Sequence, residues 1–283
     1  MANLINGKEI SLNIRAEIKE ETERFVEETG VRPGLAVIIV GEDPASQVYV
    51  RNKKRACDEV GFYSESYELP ENTTQEELNA LVDKLNANDK IHGILCQLPL
   101  PKHLDENEVI MRIDPDKDVD AFHPQNVGKI MIGDYSFLPC TPAGVMALLE
   151  RSGIEVSGKK CVVVGRSNIV GKPQAMLLLH ANGTVTVCHS RTKDLAAECR
   201  AADILVVAIG KADFITGDMV KEGAVVIDVG MNRRADGKLT GDVDFASVEP
   251  KASYITPVPG GVGPMTITML MQNTLTSARN SVK

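Results

Sequence analysis

The sequence lacks tryptophan, an excess of basic residues and any long apolar run. Its formal net charge is -8 at pH 7, which argues against nucleic acid or an anionic membrane surface as a partner, because both attract proteins rich in Lys and Arg. No segment approaches the ~20 consecutive apolar residues of a membrane-spanning helix. Residues 1–21 form a charged amphipathic pattern without a continuous apolar core, so we expect no signal peptide. The resulting prediction is a soluble globular protein.

The residue spacings of metal and dithiol sites are also missing. The histidines show no ligand spacing, and the cysteines include no C-x-x-C pair. Residues 114–120 carry carboxylates at alternate positions, but a calcium loop would need Gly in place of Val119 and Glu in place of Gln125. We therefore predict no metal site. We expect buried, reduced thiols in a cytoplasmic protein, at positions 57, 96, 140, 161, 188 and 199.

Strand-like runs alternate with helical patterns along the chain. This order predicts an α/β protein with parallel sheets, and near-continuous Val and Ile runs are typical of strands covered on both faces. The predicted strands are 35–41, 91–97, 160–165, 184–188, 203–210 and 224–230. The predicted helices are 9–29, 45–61, 74–87, 142–152, 169–181 and 264–280.

The length of 283 residues is enough for two ordinary domains. Residues 121–142 mix Pro and Gly without a strong period, and we place the boundary there. The predicted domains are 1–140 and 141–263. We expect the last helix, within residues 264–283, to return to the first domain and complete it.

One lysine occupies the face that its helix should bury. In the stretch SQVYVRNKKR, residues 46–55, a helical wheel places Lys53 in an apolar stripe, with Tyr49 one turn before it. The apolar members of this stripe are Val50, Ala56, Cys57 and Val60. Two interpretations are open from the pattern. Either the side chain lays its stem on apolar surface and keeps its amine in water, or the amine is buried, has a lowered pKa and acts as a general base.

A strand, a tight turn and a helix follow one another in KKCVVVGRSNIVGKPQAMLLL. Gly165 and Gly171 bracket the turn, and Ser167 stands where a dinucleotide-binding turn has its second glycine. The spacing is one residue longer than G-x-G-x-x-G. Glycines and a helix N-terminus still suit a phosphate group, although a turn without a ligand would look the same.

The end of the next strand favours one nicotinamide cofactor over the other. An NAD site normally has Asp or Glu there, to bind the ribose hydroxyls. Here the residues are Ser190, Arg191 and Thr192, and Arg166 lies in the preceding turn. Guanidinium and hydroxyl groups suit a 2′-phosphate, so the pattern predicts NADP.

Seven segments, in this order, resemble the bifunctional methylenetetrahydrofolate dehydrogenase/methenyltetrahydrofolate cyclohydrolase family: SQVYVRNKKR, CQLPLP, DKDVDAFHP, PCTPAG, GRSNIVGKP, HSRT and PVPGGVGPMT. The resemblance implies an enzyme of one-carbon metabolism and purine biosynthesis. It would oxidise 5,10-methylenetetrahydrofolate with NADP and then hydrolyse the methenyl product to 10-formyltetrahydrofolate. It also implies a folate-binding catalytic first domain, a Rossmann-like NADP-binding second domain and a homodimer formed through the latter.

The resemblance also implies roles for single residues at the folate site. Lys53 would assist water addition and proton movement, and Gln97 would orient it. Tyr49 would stack on the aminobenzoate ring. Asp120, which precedes apolar residues and is expected to face inward, would bind the donor edge of the pterin. Further substrate contacts would come from Leu98, Pro99, Pro259, Gly260, Gly261, Val262 and Gly263.

The resemblance implies contacts to NADP for Gly165, Arg166, Ser167, Ser190 and Met231, and the 2′-phosphate argument adds Arg191. The chain departs from the family pattern at two positions. Met231 stands where Ile is more usual, a change that conserves volume. Ala121 stands where Gly is common, and a positive φ there would cost alanine about 1 kcal/mol.

Two alternatives remain at the level of sequence. A dehydrogenase without cyclohydrolase activity would share the fold, but hydride transfer needs no protein base and gives no reason for Tyr49, Lys53 and Gln97. A non-catalytic NADP-binding or scaffold protein would have no use for the polar groups of a folate pocket.

Overall fold

The computed structural model describes residues 1–42 and 44–282, with side chains described at all of these except 44–46. The chain divides into two compact units. One comprises Met1–Leu12 and Thr141–Thr266 and is called here the six-stranded unit. The other comprises Asn13–Cys140 and Ile267–Lys283 and is called the three-stranded unit. In the described residues, no helix combines the length and the apolar character needed to cross a membrane.

The three-stranded unit contains a parallel sheet in the order β3-β2-β4. Its strands are β2 (Gly34–Val40), β3 (Tyr63–Leu69) and β4 (Gly93–Cys96). Every residue of the central strand β2 is buried, as expected for an apolar strand covered on both faces. The helices with residues in this unit are α1 (Gly7–Thr29), α2 (Pro44–Val60), α3 (Gln75–Asn86), α4 (Glu106–Arg112), α5 (Pro124–Ile132) and α10 (Val262–Ser281).

Local sequence signals fix where several of these helices begin and end. Thr74 and Glu77 form a reciprocal capping box at the start of α3, which satisfies two of the free N–H groups there. Asp105 accepts hydrogen bonds from two N–H groups in the first turn of α4. Helix α5 ends at Gly133, whose φ of 79° suits glycine.

The six-stranded unit contains a second parallel sheet, in the order β1-β11-β8-β7-β5-β6. The strands are β1 (Asn3–Leu4), β5 (Lys160–Val164), β6 (Thr184–Cys188), β7 (Ile204–Val207), β8 (Val225–Asp228) and β11 (Tyr254–Ile255). Strands β9 (Asn232–Arg233) and β10 (Leu239–Thr240) form an antiparallel pair. The helices are α6 (Cys140–Arg151), α7 (Gly171–His180), α8 (Leu195–Arg200), α9 (Phe245–Val248) and a short 3-10 turn at Gly217–Met219.

The strand order of this sheet reverses next to β5. The chain runs from β5 to its neighbour β6 on one side and then crosses to β7 on the other side. In open α/β sheets, ligands bind outside the carboxyl ends of the strands at such a reversal. The predicted α/β class with a Rossmann-like parallel sheet is confirmed.

The carboxyl-terminal helix returns to the three-stranded unit, as predicted. The side-chain amide of Asn273 donates to the carbonyl groups of Val119 and Leu138, at 2.7 and 2.8 Å. The hydroxyl of Ser277 donates to the carbonyl of Asp116 at 2.8 Å. These bonds tie α10 to the segment that follows β4.

Two segments differ from the prediction. The first 12 residues group with the six-stranded unit, because β1 pairs with β11 and extends its sheet. The stretch 121–142, expected to be irregular, contains helix α5. Pro124 occupies the first turn of α5, where proline removes no intrahelical hydrogen bond.

Candidate active site

Helix α2 buries Lys53 together with its apolar stripe. Lys53 is 6% exposed, and Val50, Ala56, Cys57 and Val60 are each 5% exposed or less. The neighbouring Lys54 and Arg55 are exposed. Of the two interpretations left open by the sequence, the structure therefore selects the buried amine.

The side-chain amide of Gln97 holds the lysine amine. Lys53 Nζ donates to Gln97 Oε1 at 2.7 Å. Gln97 Nε2 donates to the carbonyl of Leu98 at 2.8 Å, and its backbone N–H donates to the carbonyl of Ile38 on β2, also at 2.8 Å. Because the Leu98 carbonyl can only accept, it directs the amide oxygen of Gln97 toward the lysine. The half-buried Leu98 and the exposed Pro99 continue this segment.

Burial shifts the pKa values of Lys53 and Asp120 toward their neutral forms. Burial lowers the pKa of Lys53, and the opposing influence of Asp120, Cys140 and Cys96 is smaller. Burial raises the pKa of Asp120, and this outweighs the opposite effect of Lys53. The site thus contains an amine that gives up its proton more readily than usual and a carboxyl group that keeps its proton more readily than usual.

Asp120 is placed by a tight turn beside β4. Asp118 is buried and accepts hydrogen bonds from His123 N at 2.8 Å and Asn126 Nδ2 at 2.9 Å. Ala121 N donates to the carbonyl of Asp118 at 3.0 Å, and Ala121 has φ 56°. The positive φ considered for this position is present, at a cost to alanine of about 1 kcal/mol.

Two further side chains belong to this lysine cluster, which we define as Tyr49, Lys53, Gln97, Asp120 and Cys140. Tyr49 is half-buried one helical turn before Lys53, and burial raises the pKa of its hydroxyl. Cys140 is buried, and its Sγ donates to the carbonyl of Val119 at 3.5 Å. Burial and the neighbouring Asp120 raise the pKa of its thiol well above the usual value. Sequence reasoning missed the role of Cys140, because no spacing signal connects it to a carboxylate 20 residues earlier in the chain.

The glycine turn after β5, residues 165–171, has no room for larger residues at its two ends. Gly165 has φ 133°, and a Cβ atom on it would lie 2.3 Å from the carbonyl oxygen of Ala208. A Cβ atom on Gly171 would lie 2.3 Å from the carbonyl oxygen of Gly165. Ser167 Oγ accepts from the N–H groups of Val170 and Gly171 at 3.2 and 3.3 Å. The turn therefore brings bare backbone to the start of α7, as a phosphate-binding turn requires.

The polar residues after β6 lie at the same edge of the sheet as this turn. Strands β5 and β6 pair in parallel, with Val164 opposite Cys188. His189 accepts from Arg191 N at 3.1 Å and donates its own N–H to Thr192 Oγ1 at 2.9 Å, which folds the segment tightly. The predicted cofactor-binding side chains Arg166, Ser167, Ser190 and Arg191 are exposed. Cationic and hydroxyl groups are thus exposed to solvent beside a backbone cradle, which suits a phosphorylated dinucleotide.

The remaining predicted residues follow β8 and β11 in the six-stranded unit. Met231 is 46% exposed, and a Cβ atom on Gly263 would lie 3.1 Å from its Cε. Gly260 has φ 105°, and its carbonyl accepts from Lys8 N at 3.0 Å. A Cβ atom on Gly7 would lie 1.8 Å from the carbonyl of Gly261. The segment Pro259–Gly263 is consequently held against the start of α1.

The predicted site residues thus fall into two groups. Lys53, Gln97 and Asp120 are assembled within the three-stranded unit. The glycine turn, the residues after β6 and Met231 lie at the carboxyl edge of the sheet in the six-stranded unit. In the part of the chain that the structure describes, no group of three or more His, Cys, Asp or Glu side chains is arranged to hold a metal ion.

Comparison with known proteins identifies both units. The family profile described as tetrahydrofolate dehydrogenase/cyclohydrolase, catalytic domain, matches residues 5–120, and the profile described as the NAD(P)-binding domain of the same family matches residues 139–282. The chain is 64% identical over 278 residues to bifunctional protein FolD of Moorella thermoacetica, an alignment that covers 98% of this chain and 99% of that protein.

Solved structures agree with the profiles. Bifunctional FolD from Campylobacter jejuni is 52% identical and has a TM-score of 0.96, with 99% of this chain and 100% of that chain covered. FolD of Trypanosoma brucei, solved with NADP cofactor and an inhibitor, is 44% identical and has a TM-score of 0.95, with coverage of 100% and 99%. The profiles, the full-length identity and the buried lysine beside its glutamine together place this chain in the bifunctional tetrahydrofolate dehydrogenase/cyclohydrolase family.

Proposed function

We propose that this chain oxidises 5,10-methylenetetrahydrofolate to 5,10-methenyltetrahydrofolate with NADP⁺ and then hydrolyses that product to 10-formyltetrahydrofolate. Family membership supports the pair of activities over a dehydrogenase alone. The observation that carries the hydrolytic half is the 2.7 Å hydrogen bond between the buried amine of Lys53 and Gln97. Hydride transfer needs no such base, whereas water addition does.

Lys53 is the proton carrier of the hydrolytic step. A water oxygen forms a bond to the methenyl carbon, and the proton released from that water goes to Lys53 Nζ. The carbon–N5 bond of the adduct then breaks as Lys53 returns this proton to N5. The hydroxyl group of the adduct loses its proton to solvent as it becomes the formyl C=O, and the formyl group stays on N10. A lysine with an ordinary pKa of ~10.4 is almost fully protonated at neutral pH. The lowered pKa of Lys53 lets the amine take up a proton and give it back.

The other members of the lysine cluster hold the substrate and the base. Gln97 keeps the amine of Lys53 oriented through its fixed amide. Tyr49 stacks on the aminobenzoate ring, and Asp120 binds the donor edge of the pterin. Leu98, Pro99 and the residues from Pro259 to Gly263 complete the proposed folate contacts.

NADP is the cofactor that the exposed side chains after β5 and β6 favour. When bound, it supplies the acceptor for the hydride that leaves the methylene carbon. The turn from Gly165 to Ser167 would bind phosphate through its backbone, and Met231 would contact the nicotinamide side. Arg166, Ser190 and Arg191 would bind the 2′-phosphate, because they present positive charge and a hydroxyl where an NAD site presents a carboxylate.

The proposal extends to the organisation of the enzyme. Residues 13–140, completed by the helix within 264–283, bind folate and carry the hydrolytic chemistry, whereas residues 141–263 bind NADP. Two copies of the chain form a homodimer through this second domain. The enzyme works in the cytoplasm, where its product supplies one-carbon units for purine biosynthesis.

The decisive experiment replaces the proposed base, Lys53, and leaves the proposed NADP-binding residues unchanged. Lys53→Met should abolish the enzyme-dependent loss of methenyltetrahydrofolate absorbance, because methionine fills the space of the lysine stem but carries no proton. NADP binding should be unchanged within about twofold. Lys54→Met is the matched control, since it removes an exposed lysine from the next position of the same helix.

Normal hydrolysis by Lys53→Met would remove Lys53 from the mechanism. A parallel assay of cofactor reduction with methylenetetrahydrofolate, run with NADP⁺ and with NAD⁺, tests the other half. No reduction of either cofactor by the wild-type chain would contradict the proposed dehydrogenase.

A further inference from the structure

Two buried carboxylates lie at the carboxyl edge of the six-stranded unit, and neither has a role in the function proposed above. Asp228 ends β8 and is 4% exposed, and Asp242 follows β10 and is fully buried. Within the residues that the structure describes, the Asp242 carboxylate accepts hydrogen bonds from four neutral N–H groups. They are Ile209 N at 2.6 Å, Gly210 N at 2.9 Å, Lys211 N at 2.8 Å and Asn232 Nδ2 at 2.8 Å.

Asp228 fixes Asp242 in turn. Asp228 Oδ1 accepts from the N–H groups of Gly230 and Asp242, each at 2.9 Å, and its Oδ2 accepts from Val243 N at 2.9 Å. The packing admits no side chain at the two neighbouring glycines. A Cβ atom on Gly241 would lie 1.8 Å from Asp228 Oδ2, and one on Gly230 would lie 2.3 Å from Asp242 Cγ. The two carboxylates and these backbone segments form one close-packed body.

Asp242 joins this body to the glycine turn. Ala208 N donates to the carbonyl of Val164, the last residue of β5, at 2.8 Å. The carbonyl of Ala208 is the group that a Cβ atom on Gly165 would meet at 2.3 Å. The three N–H groups bound by Asp242 belong to the residues that directly follow Ala208. The position of the phosphate-binding turn therefore depends on a segment that Asp242 holds.

Asp242 also reaches the segment that carries Met231. The side-chain amide of Asn232 donates both to Asp242 and to the carbonyl of Gly241, at 2.8 and 3.1 Å. Asn232 directly follows Met231 and starts β9. One carboxylate thus connects the ends of β7 and β8, between the glycine turn on one side and Met231 on the other.

We propose that Asp242 is a positioning residue of the dehydrogenase reaction. Its carboxylate fixes the segments after β7 and β8 relative to each other, so that the glycine turn and Met231 would be held in place to contact the same cofactor. Asp242 itself touches neither cofactor nor substrate. This inference rests on the proposed assignment of NADP to this edge of the sheet.

The test uses Asp242→Asn in the full-length protein. Asparagine keeps the shape of the side chain, but it replaces one acceptor oxygen by an NH₂ group that faces N–H donors. We expect the KM for NADP⁺ to rise tenfold or more, while the cyclohydrolase rate of the same preparation stays within about twofold. A merely structural role would lower both activities with the amount of folded protein and leave the KM unchanged. Asp218→Asn, at an exposed carboxylate of the same unit, is the control.

A KM for NADP⁺ that stays within twofold of wild type in Asp242→Asn would overturn the inference. If Asp242→Asn does not fold, Asn232→Ala provides the test. It removes the side-chain amide that donates to the Asp242 carboxylate, and Asn232 is only half-buried. It should raise the KM for NADP⁺ severalfold, and an unchanged KM would again overturn the inference. Failure of the wild-type chain to reduce NADP⁺ would instead contradict the proposed function.

Discussion

The lysine cluster and the glycine turn treat their polar groups in opposite ways. Lys53 is buried and has a lowered pKa, whereas the polar side chains beside the glycine turn are exposed. A base must exchange protons near neutral pH, and burial is what moves an amine toward that range. An anion site needs only permanent charges and bare backbone, so it requires no shifted pKa and can bind its anion while exposed. The difference follows from what each site must do.

The largest expected effect that distinguishes the lysine cluster from the glycine turn is the pH dependence of the hydrolytic step. Burial lowers the pKa of Lys53 from its ordinary value of 10.5, and the neutral amine is the active form. Below that lowered pKa, kcat/KM of the cyclohydrolase should rise tenfold per pH unit and then reach a plateau. The measurement is a pH–rate profile of methenyltetrahydrofolate hydrolysis, with the rate of Lys53→Met subtracted as background.

The same shift has a consequence for stability. Because the folded pKa lies below the unfolded one, the unfolded chain binds the extra proton between the two values, and the free energy of unfolding should rise with pH across that interval. Lys53→Met should lose this pH-dependent part of the free energy of unfolding, and Lys54→Met should keep it.

In the pH–rate profile, a kcat/KM that rises only near pH 10.5, or not at all, would show that the buried amine is not the titrating base.

The exposed site should respond to loss of positive charge. Arg191→Ala should raise the KM for NADP⁺ by about tenfold to a hundredfold, because a charge-assisted hydrogen bond of ~1.5–3 kcal/mol is lost. The KM for NAD⁺ should change little, since NAD has no 2′-phosphate. Arg166→Ala should act in the same direction.

Arg200→Ala is the matched control for these two variants. Arg200 is exposed at the end of α8, before β7 begins, and so lies toward the opposite edge of the same sheet. Equal losses for NADP⁺ and NAD⁺ in Arg191→Ala would mean that the guanidinium group binds something common to both cofactors. The assignment of the 2′-phosphate would then be wrong.

The sequence predicted the strands and helices whose residues are buried and periodic. Strand β5 and the burial of the Lys53 stripe could be predicted, because the spacing of apolar residues indicates which side chains are buried. Strand β3 was missed, because its sequence YSESYEL is mostly polar and no residue of it is fully buried at the edge of its sheet. Helix α5 was missed because Pro and Gly interrupt its nine residues.

The contacts that complete the site are beyond sequence patterns. The hydrogen bond from Cys140 to the carbonyl of Val119 joins residues that are adjacent only after folding. The same holds for Asp242, whose partners Ile209–Lys211 lie about 30 residues earlier in the chain. A motif gives the residues that touch a ligand, whereas the residues that position them depend on the tertiary structure.

The smallest predicted effect concerns a buried polar group in the six-stranded unit. Gln174 on α7 is fully buried, and its Nε2 contacts Met146 Sδ at 3.4 Å. In the described part of the chain, its Oε1 has no hydrogen-bond partner. An unsatisfied buried acceptor costs ~1–3 kcal/mol, and methionine has a similar volume without that acceptor. Gln174→Met should therefore raise the melting temperature, by roughly 2–4 °C for each kcal/mol gained.

Gln125→Met is the control for this gain, because Gln125 is exposed on α5 and its replacement should leave the melting temperature within about 1 °C. The NADP⁺ kinetics of Gln174→Met should match the wild type, since the side-chain hydrogen bond of Gln174 goes to Met146 and not to a proposed cofactor residue. A lower melting temperature would mean that the amide oxygen of Gln174 has a partner in solution. A higher melting temperature with unchanged kinetics would show that the buried amide of Gln174 destabilises the fold without a role in catalysis. Lys53 differs, because its burial is needed for the hydrolytic step.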